Sequence, residues 1–159
     1  LQKPKDGVNS KLLNYYVLLT FRYIICYNIP QRFHKKITQE SSPMKKILLV
    51  VGDINLSIKL AQLCLSAEIS EIDEISSCAA ALERVEENHY DLIVCDDFLA
   101  DGSTDAVICK IRISNPNCPI LAFSNDYVAR SCMWERGCES VVAPNAVEAS
   151  LKKMLASLN

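Results

Sequence analysis

From Met44 onward, short apolar runs alternate with stretches of helical period. Ile47-Leu48-Leu49-Val50-Val51 follows Lys45-Lys46 without a polar break, which predicts a strand over Lys46–Val51 buried on both faces. Ile54, Ile58, Ala61 and Leu65 recur at helical spacing and predict a first helix. Ile72 and Ile75 stand among acids and give a weaker strand over Glu71–Ile75. Cys78, Leu82 and Val85 then mark a second helix that ends near Asn88, with His89 as its expected cap. Leu92–Cys95 is a second apolar strand, set between Asp91 and Asp96. Val107, Ile108 and Ile111 mark a third helix, stopped by Asn115-Pro116. Pro119–Phe123 predicts a strand, Tyr127–Arg136 a helix with Gly137 as its C-cap, and Val141-Val142 a brief last strand. Val147, Leu151, Met154, Leu155 and Leu158 form the cleanest helical stripe of the chain. Five strand–helix units in about 115 residues predict an α/β fold with a parallel sheet and helices on both faces.

Residues 1–43 follow a different pattern. Leu12–Ile29 is apolar and about as long as a short membrane span, but Asn14, Arg22 and Asn28 interrupt it and no small-residue cleavage site follows. Three readings stand: a translated upstream or non-native stretch, a membrane anchor, and an extra helix; Gln39–Pro43 suits a linker. The expected organisation is an extension over 1–43 and one domain over 44–159. Charge divides the same way. Residues 1–43 hold seven Lys/Arg against two acids, a net +5, and residues 44–159 hold ten against seventeen, a net −7. A domain this acidic does not attract DNA, so nucleic acid is not an expected partner.

The eight cysteines stand at 26, 64, 78, 95, 109, 118, 132 and 138, without a C-x-x-C pair or a histidine at metal-ligand spacing. Cys95 and Cys109 sit in apolar runs and are expected as small buried hydrophobes. Reduced structural thiols imply the cytoplasm; a redox pair at Cys132 and Cys138 is the alternative.

In a sheet of this kind, ligands gather at the carboxyl ends of the strands. Those ends here read Val51-Gly52-Asp53, Cys95-Asp96-Asp97-Phe98-Leu99-Ala100-Asp101-Gly102, and Ala122-Phe123-Ser124-Asn125. A carboxylate directly after a buried strand is costly unless solvated, paired or metal-bound, which makes Asp96 the first candidate site residue. The structural alternative is that Asp96 or Asp97 caps the loop.

With MKKILLV, YDLIVCDDFLADGS, PILAFS and AVEASLKKML in these places, residues 44–158 resemble the receiver domain of bacterial response regulators. The resemblance implies a flavodoxin-like, doubly wound sheet of five parallel strands in the order 2-1-3-4-5. It implies that Asp96 accepts a phosphoryl group from a histidine kinase or phosphotransfer protein, aided by Mg²⁺. Ser124 matches the hydroxyl residue that turns toward that group, and Gly137 the glycine before the fifth strand. The implied role is non-enzymatic signalling in a two-component phosphorelay, through contact with a downstream protein.

The departures bear on the same site. Val51 and Gly52 stand where the family has two adjacent acids, and Asp53, one position late, is the remaining candidate metal ligand beside Asp96. Pro144 and Asn145 fall where a lysine followed by proline is usual; proline brings neither an ammonium group nor an N–H. Lys152 and Lys153 lie well into the last helix. Val141 replaces an aromatic switch residue and Ala100 a proline. Against the phosphoacceptor reading stands a phosphorylation-independent interaction module. Its expected surface includes Tyr127, Trp134, Val141 and Asn145, although core packing is the favoured reading of Trp134, the one Trp. Other classes fit poorly. A dehalogenase-type phosphatase has Leu99 where Asp101-Gly102-Ser103-Thr104 would need its nucleophile. His89 has no cobalamin-ligand context, and Asp53-Ile54-Asn55-Leu56 is not a flavin phosphate loop.

Overall fold

The structure, a computed structural model, describes residues 45–158. The Leu12–Ile29 stretch and the readings placed on residues 1–43 lie outside the described residues. Strand β1 (Lys46–Val50) has Ile47 to Val50 wholly buried, as an apolar run with layers on both faces must be. It pairs with β2 (Glu71–Ile75) on one side and β3 (Leu92–Asp96) on the other; β4 (Ile120–Phe123) and β5 (Ser140–Val142) follow. Every pairing in this sheet is parallel and the order is β2-β1-β3-β4-β5, the expected doubly wound topology. The register sets Val50 beside Cys95, Asp96 beside Phe123, and Phe123 beside Val142, so the strand ends that carry the candidate residues are neighbours.

Alternation along the strands feeds two cores. Leu48, Val50, Ile93, Cys95, Ile120 and Ala122 face α2 (Cys78–Glu87), α3 (Asp105–Ser114) and α4 (Tyr127–Glu135). Ile47, Leu49, Leu92, Val94, Leu121 and Phe123 face α1 (Ile54–Ser66) and α5 (Val147–Leu158). Among the described residues, no helix is long and apolar enough to cross a membrane.

Several local expectations change. Helix α1 forms where its spacing predicts, but its buried stripe is Ser57, Leu60, Ala61 and Cys64, while Ile54, Ile58 and Leu65 are exposed. The helix carries apolar residues on two faces, and periodicity alone does not say which one meets the sheet. Trp134 is 62% exposed, because α4 presents only Met133 fully to the core. Asn88, not His89, caps α2, its N–H reaching the Arg84 carbonyl. Cys109 lies on the outer face of α3 and is exposed, whereas Cys64, Cys95, Cys118 and Cys138 are buried; all seven described cysteines are free thiols. Cys138 is buried, and that burial raises its thiol to about 11, which disfavours the alternative of a redox pair with Cys132.

Two networks close the amino-terminal edge of the sheet. Arg112, in the last turn of α3, donates to the carbonyls of Pro116 (3.1 Å), Cys118 (2.7 Å) and Gly137 (2.7 Å) and to Glu139 Oε2 (2.9 Å). The same Glu139 oxygen accepts the Ile120 N–H at 2.6 Å, so one guanidinium joins α3, β4 and the approach to β5. Gly137 closes α4 at φ +86°, a left-handed turn that favours glycine. Beside β1, Lys46 Nζ meets Asp73 (3.2 Å) and Asn88 (3.0 Å), and the Tyr90 hydroxyl donates to Asp73 at 2.6 Å.

Candidate functional site

At the opposite edge, β3 delivers Asp96 half-buried, with Cys95 wholly buried behind it. The Asp97 N–H donates to Asp96 Oδ1 at 3.0 Å. Burial pushes the Asp96 carboxyl up to about 6, and the adjacent Asp97 carboxylate adds to that; the N–H groups of Asp97 and Gly52 pull it back. At neutral pH Asp96 is therefore mostly ionised, and more basic than an ordinary aspartate.

The chain after Asp96 is held by Thr104, which is wholly buried at the start of α3. Its Oγ1 hydroxyl lies 2.6 Å from the Asp96 carbonyl and 3.2 Å from that of Asp97, and its N–H reaches the Asp97 carbonyl at 3.1 Å. A two-residue antiparallel ladder, Phe98–Leu99 against Gly102–Ser103, shapes the loop between. Asp101, at the loop's turn, accepts the N–H groups of Cys78 and Ala79, and so ties the loop to the start of α2.

Ser124 follows β4 and is buried at the same edge. Its hydroxyl donates to Asp97 Oδ2 at 2.5 Å and accepts the Asp126 N–H at 2.8 Å. Arg130, one turn into α4, donates to the Ser124 carbonyl at 2.7 Å and stacks near the Tyr127 ring, its guanidinium carbon 5.8 Å from the centroid. Asp96, Asp97, Thr104 and Ser124 thus form one hydrogen-bonded group. Asp97 and Thr104 were not singled out as site residues from the sequence. An Asp-Asp pair and a Thr opening the next helix were the available signals.

The residues do not make a tight magnesium site. Val51 is buried and Gly52 has no side chain. Asp53 stands at the N-cap of α1, where Oδ1 accepts the N–H groups of Asn55 (2.8 Å) and Leu56 (3.1 Å). Asp97 is bonded to Ser124. Among the described residues, no group of three or more His, Cys, Asp or Glu is placed to hold a metal ion. Magnesium takes one or two carboxylates from a protein and keeps several waters, so Asp96, with Asp53 and Asp97 holding other donors, puts this site at the low end of that range. Nor do Ala143, Pro144 and Asn145, which follow β5, offer an ammonium group; Lys152 and Lys153 are exposed on α5.

The sequence matches no protein-family model and none of the curated proteins. Solved structures share the fold. The receiver domain of a sensor histidine kinase from Pseudomonas aeruginosa PAO1 superposes with a TM-score of 0.63 at 19% identity, over 72% of this chain and 96% of its own. A two-component response regulator from Clostridium difficile gives 0.61 at 26% identity, over 72% and 98%. The fold is that of response-regulator receiver domains. A CheY-like receiver domain from Methanospirillum hungatei JF-1 adds a TM-score of 0.61 at 17% identity, over 72% and 96%. The Pseudomonas receiver holds a magnesium ion coordinated in its active-site cleft.

Proposed function

We propose that this protein is a receiver in two-component signalling that accepts a phosphoryl group on Asp96 and passes the signal on by protein contact. The observation that carries the reading is Asp96 itself, an ionised, half-buried carboxylate at the end of the central strand of a receiver fold, with its neighbours pinned by Thr104. One Asp96 oxygen attacks phosphorus, an acyl phosphate bond forms, and the donor's P–N bond to a phosphohistidine breaks, its imidazole leaving with a proton. The donor is a histidine kinase or a phosphotransfer protein, and the setting is the cytoplasm. The receiver supplies the acceptor rather than an enzymatic activity of its own. Tyr127, Val128 and Trp134, all exposed on α4, are the surface offered to a downstream protein.

A second reading has its own support. Ser124 is already bonded to a carboxylate and the Ala143-Pro144-Asn145 turn directly after β5 carries no ammonium group, which favours a module that binds its partner without phosphorylation. Intact-mass measurement of the full chain after acetyl phosphate, beside Asp96→Asn, separates the two. An adduct in the wild type that is lost in the variant supports phosphoryl transfer. Its absence, under conditions that modify an ordinary receiver, overturns that reading in favour of the second.

A further inference from the structure

A hydroxyl has one proton to give. That of Ser124 goes to Asp97 Oδ2, while its oxygen accepts the Asp126 N–H, so both roles are filled inside a buried site. The partner is not Asp96, the candidate acceptor, but the carboxylate next to it in sequence. We propose that Asp97 is the positioning residue of this site, an internal anion that holds the Ser124 hydroxyl and restrains the uptake of a phosphoryl group on Asp96. The proposal rests on the reading of Asp96 as acceptor.

Two effects act in the same direction. A phosphoryl oxygen on Asp96 that draws on Ser124 must first displace Asp97 from the hydroxyl proton. The Asp97 carboxylate also repels an anionic donor approaching its neighbour. Release has a route outward, because the Ser124 hydroxyl is bonded to the Asp126 N–H at the start of α4 and the Ser124 carbonyl to Arg130. Freeing Ser124 loosens the contacts that seat the first turn of α4, beside exposed Tyr127.

The test uses the full chain as wild type, Asp97→Asn, Asp97→Leu, Ser124→Ala and the Asp97→Leu/Ser124→Ala pair, with folding checked by circular dichroism. Acetyl phosphate is the donor: an Asp96 oxygen attacks phosphorus and acetate leaves with the bridging oxygen. Asp97→Leu is expected to gain adduct about three- to tenfold faster than wild type, the worth of one hydrogen bond removed from competition. Asp97→Asn falls between, since its amide oxygen still accepts but the charge is gone. The pair loses the part of the gain that runs through the Ser124 hydroxyl and keeps only the part due to the missing charge. Asp97→Leu no faster than wild type, a gain undiminished in the pair, or an adduct mapped to Asp97 overturns the proposal. Amide hydrogen exchange at Asp126 provides a readout independent of phosphorylation, expected to quicken severalfold in Asp97→Leu and in Asp97→Asn to a smaller degree. If no variant forms an adduct, the acceptor reading fails. The positioning of Ser124 is then judged on Asp126 alone, and unchanged exchange in both Asp97 variants overturns it.

Discussion

The two edges of the sheet treat the same functional group in opposite ways. At the amino-terminal edge, Asp73 is pushed up by burial, yet the Tyr90 hydroxyl and Lys46 outweigh that and hold it below the usual carboxylate range. At the carboxyl-terminal edge, burial and Asp97 hold Asp96 above it, at about 6. The first edge matches carboxylates with cations, as in Lys46–Asp73 and Arg112–Glu139. The second gathers Asp53, Asp96, Asp97 and Asp101 and answers them with N–H groups and a hydroxyl. Groups that stabilise a fold are paired at rest, and groups kept for chemistry are left with something to gain from a ligand. The proposed acceptor role of Asp96 draws on that difference, since Asp101 at the same edge is instead held low by the N–H groups of Cys78 and Ala79.

The largest expected effect is at the paired edge. Arg112→Ala removes the donor to three carbonyls and a carboxylate, and leaves Glu139 bound to the Ile120 N–H without its cation. A loss of about 2–4 kcal/mol is expected, since several acceptors lose a charged partner at once. Urea denaturation measures it. A change within experimental error would mean that the network is not what holds α3, β4 and β5 together.

The contrast at the Asp96 edge is sharpened by adding an acid beside it. A Cβ built on Gly52 meets Leu99 Cδ2 at 3.5 Å, the Phe98 carbonyl at 3.8 Å and Asp96 Oδ2 at 3.9 Å, all ordinary contacts. A side chain can therefore begin at Gly52 without a clash, and Gly52→Asp adds a further carboxylate at this edge. Magnesium affinity, read by titration calorimetry, is expected to rise by about tenfold, because a hard cation gains an anionic oxygen ligand. Unchanged affinity would show that a carboxylate at position 52 does not govern magnesium binding here.

How much of this was legible in the sequence follows from the kind of signal each feature carries. The strands were legible because a parallel sheet covered on both faces writes itself as unbroken apolar runs, as in Ile47–Val51 and Leu92–Cys95. Asp96 was legible because a charge terminating such a run is costly. The face of α1 was not, since Leu60 and Cys64 compete with Ile54 and Ile58 for the same period and only packing decides. Trp134 stood out as the one Trp, but its exposure depends on which side of a short helix meets the sheet. Asp97 and Thr104 act through contacts with residues 27 and 8 positions away, and a linear pattern does not carry such separations.

The comparison of the edges also has a pH signature, of opposite sign at each end. Asp96 has its proton affinity raised by folding. Between about pH 4, where an unfolded aspartate ionises, and about 6 the native state holds a proton that the unfolded chain has released, so stability falls as pH rises through that window. Asp96→Asn carries no such penalty. It is expected to match wild type below about pH 4, to gain as pH rises, and to level off above about 6 near 1 kcal/mol once solvent screening of a half-exposed group is allowed for. Urea midpoints across that range decide it, and an advantage largest in acid would reverse the assignment.

Tyr90→Phe is the mirror case and the smallest effect. Asp73 has its proton affinity lowered by folding, so its contribution is present above the ordinary aspartate value and is lost as pH falls through the lowered one. Removing the Tyr90 hydroxyl takes away a 2.6 Å hydrogen bond to that carboxylate but leaves Lys46 at 3.2 Å, so only part of the stabilisation goes. A loss of roughly 0.5–1 kcal/mol at neutral pH is expected, modest because the carboxylate is partly solvated. The loss should shrink in acid, where Asp73 takes up a proton and the charged hydrogen bond weakens in wild type and variant alike. Were the Tyr90→Phe and Asp96→Asn differences to move with pH in the same sense, Asp73 and Asp96 would not be electrostatic opposites.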